Sequence, residues 1–432
     1  MNKVVLAIIA IVCLGLIGPK VVGTVVEKEY DNIAQLMKEN PSIEITERTF
    51  TSHWFTGQAK TKINIKGISP STEKFQLIIT EKLTFGPFIF AGEKVMFALS
   101  HSDADFNFDI STAKPQDQEK LTAFTDKLND NLTLSSILSY GLNYITTLKV
   151  AEMAINEDDV QIKFGAIDSE FTLSDEKYIN GFLNWSGLEF TAPDVNVKLS
   201  GIDSTFDQEI FSGNFYTGNS LATGEFSMLM KNLTAQNQKD KTIFEIESIT
   251  LTADTQIENS LMNIGFNYGA DKITTEEQTF EKLNMDFSVN KLDPNVLVEL
   301  NELFTEISQD PEQAALYAQQ LIHSAAKLLE NNPEFNIDDF SVITPDGTIK
   351  MDLRLAVDNS LFDPANPMSI LPALKTEAKG VAPYLFFQKL GLESMVNMYI
   401  EQGFVNQKAD ELSFSAQFKH GQLTLNGQTI AL

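Results

Sequence analysis

At 432 residues and a net charge of −27, the chain is too long for one ordinary compact core. It is also too acidic for nucleic acid, whose phosphates need clustered Lys and Arg. A composition of 43% hydrophobic and 21% charged residues excludes disorder. The 31 Phe, against 9 Tyr and 2 Trp, bring apolar area with no polar atom to satisfy, which implies thick cores or an apolar groove.

The first element is Val4 to Gly18, a run without charge behind Lys3. Pro19 and Lys20 interrupt it, and Val21 to Val26 is again mostly apolar. Val21-Val22-Gly23 suits a signal cleavage site. Against that, Val22, Val25, Val26, Tyr30, Ile33, Leu36 and Met37 continue a helical pattern. The expectation is an uncleaved transmembrane anchor and stalk helix over 1–40, with a cleaved signal as the alternative. Lys3 on the cytoplasmic side leaves the bulk of the chain outside. Cys13, the single cysteine, lies within this run after Val12 and reads as a buried apolar thiol, so no disulfide is expected.

After residue 40 most of the chain alternates apolar and polar residues, the signature of antiparallel strands with one buried face. The pattern holds in Ile63–Lys66, Phe106–Ile110, Val195–Leu199, Phe244–Glu247, Ile249–Thr252 and Leu423–Leu425. Turns are expected at Thr217–Ser220 and Tyr268–Asp271. A helix is expected from Pro115 to Leu128. Asp293-Pro294 and Asp310-Pro311 each offer an N-cap followed by proline, and they open the two arms of a helical hairpin that stops at Asn331-Asn332-Pro333. Ser369–Gly380 and Val381–Glu401 read as further helix. A hairpin of Glu411–Lys419 and Gln422–Ile430 closes the chain.

The predicted fold is thus mainly β with helices (α+β). Long antiparallel sheets, curved or sandwich-like, carry an inserted helical hairpin and a C-terminal helical region, after one N-terminal transmembrane helix. The expected segments are 1–40 (anchor and stalk), 41–292 (β-rich) and 293–432 (hairpin plus an α+β part packed on the same β structure).

Chemistry is sparse. His53, His101, His323 and His420 are scattered, and no zinc, P-loop, CxxC or nucleophile-elbow motif is present. Asp103, Asp105, Asn107 and Asp109 briefly resemble a calcium loop, but Phe108 and Lys114 stand where such a loop needs Gly and Glu. These residues read as a solvated strand face. No catalytic residue, metal or cofactor is predicted.

The chain resembles the YdgA-like family of bacterial inner-membrane-anchored envelope proteins, which contain a domain of unknown function. The resemblance rests on the order of short motifs behind the N-terminal helix: Phe50-Thr51-Ser52-His53-Trp54-Phe55-Thr56-Gly57, Gly86-Pro87-Phe88, Leu292-Asp293-Pro294, Pro345-Asp346-Gly347 and Gly421–Gly427. Relatives usually have His before the glycine where this chain has Phe85. The resemblance implies location and topology, namely a single-pass inner-membrane protein with its bulk in the periplasm, and no established activity.

The leading functional expectation is a non-catalytic envelope protein that handles lipid or another apolar ligand in a β groove. The alternative is a scaffold presenting the surface around Tyr384, Leu385, Phe386, Phe387, Met395, Met398 and Tyr399 to envelope proteins. An enzyme of unknown class is third. The membrane is the expected partner through the anchor.

Overall fold

The structure, a computed structural model, describes all residues except 1–2, 66–74, 92–93, 110–114, 158, 238, 240, 310–313, 364–365 and 431–432. The side chains of 3–17, 75, 91, 94, 115–121, 123, 157, 308–309, 314–315 and 367 also lie outside this description. The chain forms two compact units, Met1–Leu188 with Thr205–Ala222, and Glu189–Ser204 with Thr223–Leu432.

The first unit opens with helix α1 (Lys3–Met37), followed by β1 (Ile43–Ser52), β2 (Thr56–Ile65), β3 (Phe75–Phe85), β4 (Phe88–Ala91), β5 (Lys94–Phe97) and β6 (Ser100–Asp109). Helix α2 (Pro115–Asn131) leads to β7 (Leu132–Leu138), β8 (Tyr144–Val150), β9 (Met153–Glu157), β10 (Val160–Phe164), β11 (Ile167–Ser174) and β12 (Tyr178–Trp185). One antiparallel sheet runs β1-β2-β3-β6-β7-β8-β11-β12. β4 and β5 form a separate two-stranded hairpin.

Cross-strand register lays out the inner face of this sheet. Leu83, Ser102, Ser136, Thr146 and Phe171 lie opposite one another on successive strands. The next row is Phe85, Ser100, Leu138, Tyr144 and Leu173. Helix α1 lies on these rows. Val22 and Val26 are buried in one cluster with Ala59, Leu83, Phe85, Leu99 and Leu138, and Tyr30, Phe50 and Tyr144 pack against it.

Close approach depends on two glycines. A Cβ on Gly23 of α1 would lie 2.9 Å from the Phe85 ring, and one on Gly57 of β2 would lie 2.7 Å from the same ring. Phe85, 1% exposed, therefore fills a slot that only glycine leaves open on both sides. The C-terminal end of α1 is held by Asn40, whose Nδ2 donates to the Tyr216 carbonyl at 3.3 Å.

In the second unit, β13 (Leu188–Ala192), β14 (Val195–Leu199) and the start of β15 (Ile202–Ser212) precede the long strands β16 (Leu221–Asn237), β17 (Thr242–Glu258), β18 (Leu261–Thr275) and β19 (Thr279–Leu292). The hairpin α3 (Pro294–Gln309) and α4 (Ala314–Leu328) follows, then β20 (Glu334–Thr344), β21 (Gly347–Val357), α5 (Ile370–Ala373), β22 (Leu374–Pro383), α6 (Tyr384–Lys389) and α7 (Glu393–Glu401). β23 (Asn406–Lys408), β24 (Glu411–Lys419), β25 (Gln422–Leu425) and β26 (Gln428–Ile430) end the chain. β16 to β22 form an antiparallel meander that β24 extends. Its register aligns Met228, Leu251, Tyr268, Met285 and Phe340 in one row and Phe226, Ala253, Phe266, Phe287 and Ile337 in the next. The Phe266 and Phe287 rings stack at 5.0 Å. The Phe-rich alternation thus builds one apolar sheet face.

Among the described residues no helix is long and apolar enough to cross a membrane. The early part of the expected anchor, with Cys13, has its side chains outside the described ones. Other expectations are corrected. From Val22 onward α1 is no free stalk, because its apolar stripe is buried in the first unit's own core. Tyr268–Asp271 is not a turn but the middle of β18, where Gly269 lets the Thr250 hydroxyl approach to 2.5 Å of its would-be Cβ.

Ser369–Gly380 is α-helical only over Ile370–Ala373 and then becomes β22, because pairing with β21 and β24 outweighs local helix preference. Gly380 there lies under the Phe414 ring. The helix expected over Val381–Glu401 breaks into α6 and α7 at Gly391, which adopts φ +72°. The closing hairpin's second arm splits at Asn426-Gly427 into β25 and β26. Asp293 caps α3 as expected, its Oδ1 accepting from Asn295 N at 2.9 Å. The second expected cap, Asp310-Pro311, lies outside the described residues.

The packing at Phe85 predicts large stability losses. Phe85→Ala should cost about 3–5 kcal/mol through the cavity it leaves. Gly57→Val should cost about 1–3 kcal/mol by overpacking the same slot. Urea titration followed by circular dichroism measures both. A loss below about 1 kcal/mol for Phe85→Ala would show that the helix is not docked through this residue.

Candidate functional site

Between α1 and the inner sheet face lies a partly open cavity of about 320 Å³. Helix α1 supplies its roof, with Val26, Tyr30, Ile33 and Met37 from the stripe read from the sequence and Ala34 beside them. The floor comes from the strand rows, with Ile63, Ile79, Leu83, Leu134, Leu138, Phe171 and Leu173 as its apolar part. Phe215 and Tyr216, on the segment that Asn40 grips, also line it. Period-two alternation explains why one face of β6 presents Ser100, Ser102 and Ala104 inward while Asp103, Asp105 and Asn107 point to solvent.

A polar cluster sits on the wall. The Tyr30 hydroxyl donates to the Glu81 carboxylate and lies 3.2 Å from the Thr61 hydroxyl. Glu81 also accepts from Ser102. The Arg48 guanidinium lies over the Tyr30 ring, 4.5 Å from its centroid, and Nη1 pairs with Asp31. Nε and Nη2 of Arg48 are buried and have no hydrogen-bond partner among the described residues. Across the floor, the Ser136 and Thr146 hydroxyls are 3.0 Å apart.

Burial sets the protonation states. Desolvation lifts the Glu81 carboxyl above its ordinary value, against the opposing pull of Tyr30, Ser102 and Arg48. The Tyr30 phenol is pushed far up, first by burial and then by the charge of Glu81. Tyr144 is raised by burial and by Glu29, and Tyr216 by burial and by the charges of Glu176 and Glu29. All three phenols are therefore neutral donors at working pH. The arrangement provides an apolar chamber with a small set of oriented donors and one protonatable acid. Among the described residues, no group of three or more His, Cys, Asp or Glu side chains is placed to hold a metal ion.

The structure disperses the remaining sequence candidates. Asp103 and Asp105 lie on the outer face of β6, where Asp105 pairs with Lys82 at 2.8 Å. His101 Nδ1 is 3.7 Å from Asp103. His323 lies by Glu299 on the α3–α4 hairpin, whose Glu299 accepts from Ser324 and Lys327. His420 occupies a turn with φ +51°. The sequence pattern places Tyr30 on the helical stripe and marks neither Arg48 nor Glu81, because the long-range contacts that bring them to Tyr30 have no local signal.

Ionisation of Glu81 gives a pH test. Its folded-state pKa is raised above the ordinary 4.5, so the unfolded chain loses this proton first as pH rises. The contribution of this proton to stability is complete below 4.5 and is lost as pH climbs through the raised value. Glu81→Gln should therefore gain stability relative to the parent as pH increases, a gap read by urea titrations between acid and neutral pH. A gap that does not change with pH would contradict the buried acid.

Across residues 1–432 the chain matches the family described as "Bacterial protein of unknown function (DUF945)". No curated protein and no solved structure matches it.

Proposed function

The chain belongs to this bacterial family of unknown function, DUF945, and on that premise we propose a non-catalytic envelope protein that binds an apolar ligand beneath α1. The cavity is the observation that carries this reading. Its volume falls at the lower end of small-molecule sites, and it is apolar with a few convergent polar groups. Such a chamber fits one acyl chain or a molecule of similar girth. The unpartnered Arg48 donors suit a ligand whose polar end carries acceptor oxygens. The uncharged run Val4–Gly18 behind Lys3 supports attachment at the inner membrane with the bulk in the periplasm.

The test uses the full chain, since a truncation at Lys28 would remove Val22 and Val26 from the core. Gentle extraction followed by mass spectrometry should recover an amphipathic lipid. An apolar fluorescent probe should bind, and Leu134→Trp, which fills the chamber, should weaken it by about tenfold or more. Arg48→Ala should weaken a fatty acid more than a neutral probe. Probe binding that ignores Leu134→Trp would place the ligand elsewhere and end this reading.

A scaffold reading keeps one specific support. Leu385, Leu390, Met395, Met398 and Tyr399 are exposed around α6 and α7, while Phe386 packs on Phe280 and Phe387. Crosslinking in intact cells should then capture one envelope protein, and Met395→Asp with Met398→Asp should abolish the product. An unchanged product would remove this surface from consideration.

A further inference from the structure

The β4–β5 hairpin shows an alternation turned outward. Ile89 is fully buried, whereas Phe88, Phe90, Val95 and Phe97 are 48%, 74%, 63% and 68% exposed. Register pairs Phe88 with Phe97 and Phe90 with Val95, so these four side chains share one face. The Phe88 and Phe97 rings are 5.7 Å apart, and Phe97 continues to Tyr140 at 4.7 Å. Tyr140 and Leu142, on the β7–β8 turn, are exposed too. The described side chains of this patch carry no charge. Phenylalanine has no polar atom to offer water, so a patch of this kind marks a contact surface.

Its position selects the occupant. Pro87, at the base of the hairpin, lies 3.0 Å from where a Cβ on Gly18 would sit. Gly18 is the last residue of the uncharged run Val4–Gly18. On the same helix Val21 and Val25 are exposed. The apolar end of α1 and the aromatic hairpin therefore adjoin.

We propose that this hairpin is a membrane-contacting finger whose Phe88, Phe90, Val95 and Phe97 enter the apolar surface of a lipid bilayer beside the end of the uncharged run. The inference rests on the attachment reading above. Phe takes up the acyl boundary without requiring a shaped partner, and Tyr140 suits the headgroup level with its hydroxyl in water. Because the chain carries −27, this contact is apolar and persists in high salt.

The test places single environment-sensitive labels on the full chain in a Cys13→Ser background, at Phe90→Cys, Phe97→Cys and Asn107→Cys. Asn107 is exposed on β6, about 23 Å along the strand from Ser100. The protein is reconstituted with phosphatidylcholine vesicles containing lipid-borne quenchers, and flotation reports attachment separately. The expected result is flotation with fluorescence lost at 90 and 97, kept at 107, and unchanged by salt. Flotation with fluorescence retained at 90 and 97 overturns the finger and leaves the attachment reading standing. Failure to float overturns both. A label at 90 shielded without lipid in a concentration-dependent way assigns the patch to a second copy and overturns the bilayer.

Discussion

Everything in the first unit depends on the seating of Phe85 between Gly23 and Gly57. The contact couples residues far apart in sequence, and it fixes how near α1 approaches the sheet. Without a Cβ on either side the ring can sink fully, and Val22 and Val26 reach Ala59, Leu83 and Leu138. One turn or more further along, the same helix stands off enough to leave a chamber above the serine and threonine rows. Tight packing at one end and open space at the other follow from residue size along a single helical stripe.

The polar wall of the chamber runs against the preference of a core. Glu81 and Arg48 each lose hydration there, and the bonds they make do not satisfy every donor. A fold under selection for stability alone would favour apolar residues at these positions. The neutral phenols of Tyr30, Tyr144 and Tyr216 supply hydrogen-bonding capacity without ionising. These features suit a site that orients a mostly apolar guest by one polar end.

Much of the architecture was legible because period-two alternation is local. β14 and β24 match their expected bounds, and the two runs Phe244–Glu247 and Ile249–Thr252 join into β17 through Ser248, at φ +54°. The stripe from Val22 to Met37 was visible as well, but a stripe says only that a helix buries one face, not what it buries it against. Lipid, a free stalk and the chain's own sheet all accept Val and Ile equally, so the docked helix was read as a stalk. β22 was missed because Thr376 to Gly380 is decided by its two neighbouring strands. Arg48 and Glu81 gave no local cue, since ordinary surface strands carry the same residues. The hairpin's Phe88 and Phe90 were hidden by composition, because Phe elsewhere in this chain builds the apolar face of β16 to β21.

Residues 22–34 of α1 belong to the folded first unit and form the roof of its chamber. Amide hydrogen exchange on the full chain measures this most directly, because protection reports how a segment opens. Amides from Val22 to Ala34 should exchange as slowly as those of β2 and β3 and slow further when an apolar ligand is added. Rapid exchange along Val22–Ala34, with β2 and β3 still protected, would show an undocked helix and contradict this placement.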